Sequence, residues 1–395
     1  MNNVAQVNRL QGQPGYEGGS VRTVILTDSY PYDPIHDRYQ QYYREGLRAD
    51  LVRMGGTFRE HTRTLFPSFL RFLLRAQKSY RFGRTFGRLA PTLGWGLDRF
   101  AQLCGAWRQP PHPTTGIYDY VDSAGRTVRF CIDSQDSGVI GSPDLLRDCR
   151  VYFKTNYWTD HNYDPKVIPF YNANPLILPH LAHLRAARAF LPTYDLCFVV
   201  RVWGGTDEVE GVEHCIRLLE AASRVPGKNY LFAYLVAGDI PATEKRLRAA
   251  GVRYSTNPLP MKELWDVSAR SRVNLIRLGM HACVPWRMCD LLAMGACPVL
   301  DQRPKTLWPA PLGQGEHYWS LNAETSLAGP VAADDAYRAI PELLGGVIAD
   351  AVRMAETRRA TADYFDRYLS PKSVGQQIRE TIGRAVDGVA PAGSG

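Results

Sequence analysis

The residues of this chain best suited to chemistry are Arg287, Asp290 and Gly295, followed by Pro298-Val299. An apolar run, Val273 to Ile276, reads as a strand that ends in a loop from Gly279 to Trp286. A helix starts near Arg287, and a Gly-Ala turn returns the chain to a strand, Cys297 to Leu300. A loop entering a helix offers unpaired backbone N–H groups and a positive dipole end, which suits a diphosphate. Asp290 lies one helical turn after Arg287, so both can face one cleft. A carboxylate there can accept two hydroxyls, as from a ribose, and Gly295 permits the tight turn back into the sheet. The plain alternative is an intrahelical Arg287–Asp290 salt bridge on the surface.

Such a segment needs a parallel sheet to hold it, and the surrounding sequence supplies one. Leu196 to Val202, Leu231 to Ala237, Val252 to Thr256, Val273 to Ile276 and Cys297 to Leu300 read as strands. Between them, Glu208 to Ala222, Ala242 to Ala250, Met261 to Ser271 and Arg287 to Met294 carry helical spacing. This alternation predicts parallel βαβ units and a doubly wound sheet. The first half opens the same way, with a strand over Arg22 to Asp28, a loop, and a helix over Asp37 to Met54. Two strands flank a Ser-Ala-Gly turn, Ile117 to Val121 and Thr127 to Ile132; Ser142-Pro143-Asp144 starts a helix, and Val151 to Lys154 is a short strand. Pro- and Asn-rich sequence from Pro165 to Pro179 reads as a connector, and helices over Pro341 to Tyr368 and Val374 to Val386 close the chain. The expected class is α/β, with two Rossmann-like doubly wound domains facing a central cleft. The expected divisions are a flexible tail over 1–20, an acceptor-side domain over 21–190, a donor-side domain over 191–370, and a C-terminal helix and tail over 371–395.

Composition narrows the function classes. The 395 residues are 45% hydrophobic and 22% charged, an ordinary globular balance, and no apolar run of membrane-spanning length occurs. The N-terminus lacks the layout of a signal peptide. Eight cysteines are scattered without a Cys-x-x-Cys pair, which argues against a zinc or redox motif. The expected location is cytoplasmic, with peripheral attachment to a membrane left open. The net charge of +8 is concentrated between His61 and Pro110, where eight Arg and one Lys face a single acid, Asp98.

In order and spacing, Arg287-x-x-Asp290-x-x-x-x-Gly295-x-x-Pro298-Val299 resembles the C-terminal donor-site motif of GT-B glycosyltransferases, including retaining and exostosin-like members. Upstream, Val200-Arg201-Val-Trp-Gly-Gly, Val236-Ala-Gly-Asp239, Gly251-Val-Arg-Tyr and Leu259-Pro-Met-Lys-Glu-Leu are similar to the family's preceding elements. The resemblance spans roughly residues 196 to 300. It implies a GT-B fold and sugar transfer from a nucleoside-diphosphate sugar, UDP-sugar or GDP-sugar, to a hydroxyl acceptor, with no bound cofactor. It implies that Gly279, His281, Trp286, Arg287 and Asp290 hold the donor, that His281 meets a sugar hydroxyl or phosphate, and that Arg201 neutralises phosphate charge. The chain departs from the family in having Asp290 where Glu is usual and Ala282 where many retaining members carry a second Glu. No Asp-x-Asp triplet occurs, so a metal-independent donor site is expected. A nucleotide-sugar epimerase, which can share the architecture, is the second enzymatic reading.

An inverting transfer needs a general base near the acceptor hydroxyl. The candidates are Asp28 at the first strand end, His36 and Asp37 beyond it, and Asp133 or Asp136 in Cys131-Ile-Asp-Ser-Gln-Asp-Ser-Gly138. Tyr30, Lys154, Arg71 and Arg75 are the expected acceptor contacts. The basic window interleaves arginines with aromatics such as Phe69, Phe72 and Tyr80. That composition fits an amphipathic helical insertion, an anionic membrane surface or charged acceptor, or a nucleic-acid strand.

Overall fold

The computed structural model describes residues 23–28, 34–60, scattered positions between 89 and 99, and 114–203, 208–236, 238–279, 282–321 and 334–387. The chain divides into two compact α/β units. One runs through Tyr171 and takes back the chain from Ser370; the other is Asn172–Leu369.

The first unit is built on strands β1 (Thr23–Asp28), β2 (Thr57–Glu60), β3 (Thr115–Val121), β4 (Thr127–Asp133), β5 (Val151–Lys154) and β7 (Val167–Pro169), with helices α1 (Pro34–Arg53) and α2 (Pro143–Asp148). A short strand, β6 (Tyr157–Trp158), stands outside this sheet. The sheet order is β2-β1-β3-β4-β5-β7. Strand β3 is antiparallel to β1 and β4, and the other pairings are parallel. The reason is local. The Asp122 carboxylate accepts the Ala124 and Arg126 amides and Gly125 takes a positive φ, closing a tight hairpin between β3 and β4. The carboxyl ends of β1, β4 and β5 therefore share one edge of the sheet, bringing Asp28, Asp133 and Lys154 to it.

The second unit begins with a 3-10 turn, Pro175–His180, and α3 (Leu181–Ala186). Then come β8 (Tyr194–Val202), α4 (Glu208–Ala222), β9 (Asn229–Leu235), α5 (Ile240–Ala249), β10 (Arg253–Ser255), α6 (Met261–Ala269), β11 (Ser271–Ile276), α7 (Trp286–Ala293) and β12 (Pro298–Leu300). Short strands β13 (Thr306–Leu307) and β14 (Trp319–Ser320) follow, then α8 (Asp334–Ala349) and α9 (Ala351–Tyr364). The sheet order is β10-β9-β8-β11-β12-β14, and all pairs are parallel. This is the doubly wound order, and it reverses between β8 and β11. Side chains alternate across β8. Leu196, Phe198, Val200 and Val202 pack with Val212, Ile216 and Leu219 of α4 and Ile340 and Leu344 of α8. Cys197 lies on the other face with Phe232 and Val267 of α6. A parallel sheet covered on both faces explains the continuous apolar runs.

Two helix ends depart from what the sequence pattern predicts or demand a particular residue. Helix α8 starts at Asp334 and carries Pro341 inside it, whereas the pattern reads Pro341 as a helix start. A proline there frees the carbonyl four residues back; Arg224 Nη2 reaches that Tyr337 oxygen at 3.4 Å. Helix α7 ends in a Schellman cap, with Gly295 N–H bonded to Leu292 O and Ala296 N–H to Leu291 O. Gly295 has φ 58°, and a Cβ there would lie 3.0 Å from Arg358 O.

The final helix, α10 (Pro371–Val386), belongs to the first unit and packs on α1. The two backbones touch where each helix has a glycine: a Cβ on Gly375 would stand 2.1 Å from Gly46 O. One turn along each helix, Arg379 Nε donates to the buried Asp50 carboxylate at 2.6 Å. Gly375→Ala should therefore lower the stability of the first unit by about 2 kcal/mol or more. Gly345→Ala, in α8 with nothing near its Cβ, should be neutral or stabilising by up to about 1 kcal/mol. Urea unfolding of both variants checks the pair; equal midpoints would contradict the close helix contact.

Candidate functional site

At a topological switch point the loops leaving two adjacent strands diverge, and the crevice between them is where doubly wound sheets take ligands. Here those strands are β8 and β11. Arg201 is exposed near the end of β8, its guanidinium over the Trp203 ring at 5.6 Å. Just beyond β11, Arg277 reaches back to β8: its Nη1 donates to Trp203 O at 2.5 Å and lies 3.1 Å from Cys215 Sγ on α4. Burial raises the Cys215 thiol pKa, and the nearby Arg277 charge opposes that rise. Among the described residues, neither Arg201 nor Arg277 pairs with a carboxylate. Arg277 belonged to no recognisable motif in the sequence, and Trp203 stood in the Val200-Arg201-Val-Trp-Gly-Gly stretch without being singled out. The one available signal was a polar residue directly after an apolar strand.

The loop after β11 is tightly folded where it is described. Gly279 N–H bonds to Cys283 O at 3.0 Å, and a Cβ on Gly279 would lie 2.5 Å from Cys283 Sγ. Ala282, at the position where the resemblance expects a Glu, has φ 56°, the only positive φ of a non-glycine among the described residues. Its carbonyl accepts the Lys305 amide. Asn172 holds the far end of the loop: its Nδ2 donates to Val284 O, and its Oδ1 accepts from Trp286 Nε1, both at 2.9 Å. His281 lies outside the described residues.

The expectation that Arg287 and Asp290 face a common cleft needs correction. Arg287 Nη2 turns to Ser268 Oγ on α6 at 2.9 Å and approaches Cys197 Sγ on β8. Asp290 is 3% exposed, and its two oxygens accept from Asn174 Nδ2 at 2.6 Å and Trp265 Nε1 at 3.0 Å. No Arg287–Asp290 ion pair forms. The carboxylate thus ties α7 to α6 and to the start of the unit, instead of lying open to ribose hydroxyls. The short aspartate side chain keeps its oxygens inside the helix layer. Burial raises its pKa from 3.8 to about 6, against the opposing effects of both hydrogen bonds and the Arg287 charge.

In the first unit, Asp28 ends β1 in register with Ile117, while Tyr30, Arg71 and Arg75 lie outside the described residues, as do the side chains of Asp28, His36 and Asp37. Asp136 is half-buried in the bend after β4. Lys154, expected to meet an acceptor, is 0% exposed, and its Nζ donates to Asp133 Oδ2 at 3.0 Å. Tyr152 donates to the same oxygen, and Gln135 N–H to the other. Burial lowers the Lys154 pKa despite the carboxylate. Asp133 and Lys154 are register partners across parallel strands, so the two strand ends meet as an internal ion pair. Among the described residues, no cluster of three or more His, Cys, Asp or Glu is arranged to hold a metal.

No protein-family profile matches this sequence, and no curated protein matches it. Similar solved structures do exist. The Anabaena protein Alr3699/HepE, in complex with UDP and glucose, is 10% identical, with 92% of this chain and 99% of that one covered at a TM-score of 0.44. A putative UDP-N-acetylglucosamine 2-epimerase from Listeria monocytogenes is 9% identical, covering 93% and 96% at 0.41. A Staphylococcus aureus TarM mutant, in complex with Fondaparinux, alpha-GlcNAc-glycerol and UDP, is 9% identical, covering 59% of this chain and 44% of that one at 0.39.

The raised Asp290 pKa has a measurable consequence. The folded state holds this proton more tightly than the unfolded chain, so its contribution is full below about pH 4 and lost as pH rises to about 6. The loss is on the order of 3 kcal/mol. Asp290→Asn cannot ionise. The stability of wild type minus that of Asp290→Asn should therefore fall across this window in urea unfolding at several pH values. A constant difference would contradict a buried, protonatable Asp290.

Proposed function

We propose that this protein transfers a sugar from a nucleoside-diphosphate sugar to a hydroxyl acceptor, with the donor diphosphate at the carboxyl edge of β8 and β11. One observation carries the reading: Arg277 bridges the two strand ends at the switch point and has no carboxylate partner among the described residues. An arginine held by a backbone carbonyl and a thiol keeps its full charge for an anion. Arg201, over the Trp203 ring, adds a second cation at the end of β8. As the sugar leaves, negative charge grows on the departing nucleoside diphosphate, and fixed guanidinium donors stabilise it without reorganisation. Gly279 and the turn at Ala282 let the backbone of the loop approach the phosphates. His281, in the same loop, is proposed to hydrogen-bond the donor.

The motif around Arg287 and Asp290 supports the reading through architecture. These side chains hold α7 against α6 and the strands, and so fix where the loop ends. On the acceptor side, Asp28 and Asp136 are the proposed general bases. Lys154 supports Asp133 instead of contacting the acceptor directly.

A thermal-shift panel of UDP, GDP, dTDP, CDP and ADP tests the donor class, with UDP or GDP expected to stabilise the protein; no response to any of the five would sink the reading. Arg277→Ala should weaken binding of the selected nucleotide by about 10- to 100-fold, the worth of a charge-assisted hydrogen bond. Calorimetry checks this, and an unchanged affinity would remove Arg277 from the site. Incubation with donor alone separates transfer from epimerisation, since accumulation of an epimeric nucleotide sugar would favour an epimerase.

A further inference from the structure

Beyond the carboxyl edge of the second sheet lies a buried polar chain that the proposed donor site does not itself use. Asp301 follows β12 directly and is 0% exposed. Its Oδ2 is 2.9 Å from His214 Nε2 on α4, and His214 Nδ1 is 2.6 Å from the Tyr337 hydroxyl on α8. His214 and Tyr337 are each 3% exposed. All three groups are satisfied when His214 Nε2–H donates to Asp301 and Nδ1 accepts from the Tyr337 hydroxyl. The other carboxylate oxygen, Asp301 Oδ1, accepts the Leu278 amide at 3.0 Å. The Asp301 amide in turn donates to Ile276 O at 3.0 Å.

A carboxylate with no solvent access is costly unless its lone pairs are used, so what it holds matters. Asp301 holds the two peptide groups on either side of Arg277. Ile276 O and Leu278 N–H are both bonded to this one residue. The backbone at Arg277 is therefore clamped just where β11 runs out of strand partners, and its side chain is set toward Trp203 and Cys215. His214 and Tyr337 keep the carboxylate from rotating away from Leu278.

The geometry points to Asp301, oriented by His214 and Tyr337, as the positioning residue for Arg277, and hence for recognition of the donor diphosphate; this rests on the donor-site reading proposed above. Asp301 touches no substrate in this role and acts through the backbone of residues 276–278.

The test compares wild type, Asp301→Ala, Asp301→Asn, Arg277→Ala and the Arg277→Ala/Asp301→Ala double variant. Calorimetry measures the affinity of the nucleoside diphosphate selected by the panel and of its parent nucleoside. Thermal unfolding confirms that each variant is folded at the assay temperature. Asp301→Ala should reduce diphosphate affinity about tenfold or more while leaving nucleoside affinity within about twofold, because the clamp acts on Arg277. Asp301→Asn should recover most of that loss. Its amide oxygen still accepts from Leu278, and its NH2 can donate to His214 in the other tautomer. In the Arg277→Ala background, Asp301→Ala should add little, since residues acting as one unit are not additive. A purely structural role predicts additive losses and equal damage to nucleoside binding, and either result would overturn the inference. Wild type and Asp301→Ala binding the diphosphate equally would also overturn it, with the donor reading intact. Wild type binding none of the five nucleotides would overturn the donor reading and this inference with it.

Discussion

A parallel sheet leaves the peptide groups at its strand ends without a neighbouring strand to bond them, and those groups must still find partners. In the second unit this constraint falls hardest between β8 and β11, where the connections turn to opposite sides of the sheet. The chain meets it with side chains drawn from distant positions. Arg277 takes the Trp203 carbonyl, Asp301 takes the Leu278 amide, and Asn172 takes the Val284 carbonyl. The loop between these points is shaped by its anchors.

Charge is distributed accordingly. Asp50, Asp133, Asp290 and Asp301 are all buried, and each joins elements that are far apart in sequence. Asp50 bonds Arg379, Asp133 bonds Lys154 and Tyr152, Asp290 bonds Trp265 and Asn174, and Asp301 bonds His214. Buried carboxylates in such numbers are tolerable because each has at least two donors. The arginines at the switch point show the reverse pattern, with charge but no carboxylate partner among the described residues. That contrast between satisfied internal anions and edge cations without a carboxylate partner among the described residues is what the proposed donor site rests on.

Much of the architecture was legible from residue order. The alternation from Leu196 to Leu300 corresponds to β8 through β12 with small shifts at the ends, and the Ser-Ala-Gly turn marks the β3–β4 hairpin. Gly295 was recognisable as the tight turn back into the sheet, and its φ of 58° is the left-handed conformation that such a turn after a helix requires. The short strands β2, β7 and β14 were not legible, although β5, β10 and β12, equally short, were read. The return of α10 to the first unit was also hidden. Its glycine contact with α1 joins residues more than three hundred positions apart.

The sequence by itself determined the α/β class, the order of elements, and the segment where a loop, a helix and a Gly turn follow β11. These are local matters of periodicity, capping and backbone freedom. Only the tertiary structure decided which charges are available. By spacing alone, Arg287 and Asp290 look like a pair open to a ligand, and Lys154 looks like an acceptor contact at a strand end. Folded, Arg287 and Asp290 bond to α6 and to Asn174, and Lys154 bonds to Asp133. Arg277, which no motif singled out, has no carboxylate partner among the described residues. Availability depends on partners brought together across as many as 329 positions, as between Asp50 and Arg379. Residue spacing along a chain cannot encode that, because burial and hydrogen-bond satisfaction are properties of the packed interior.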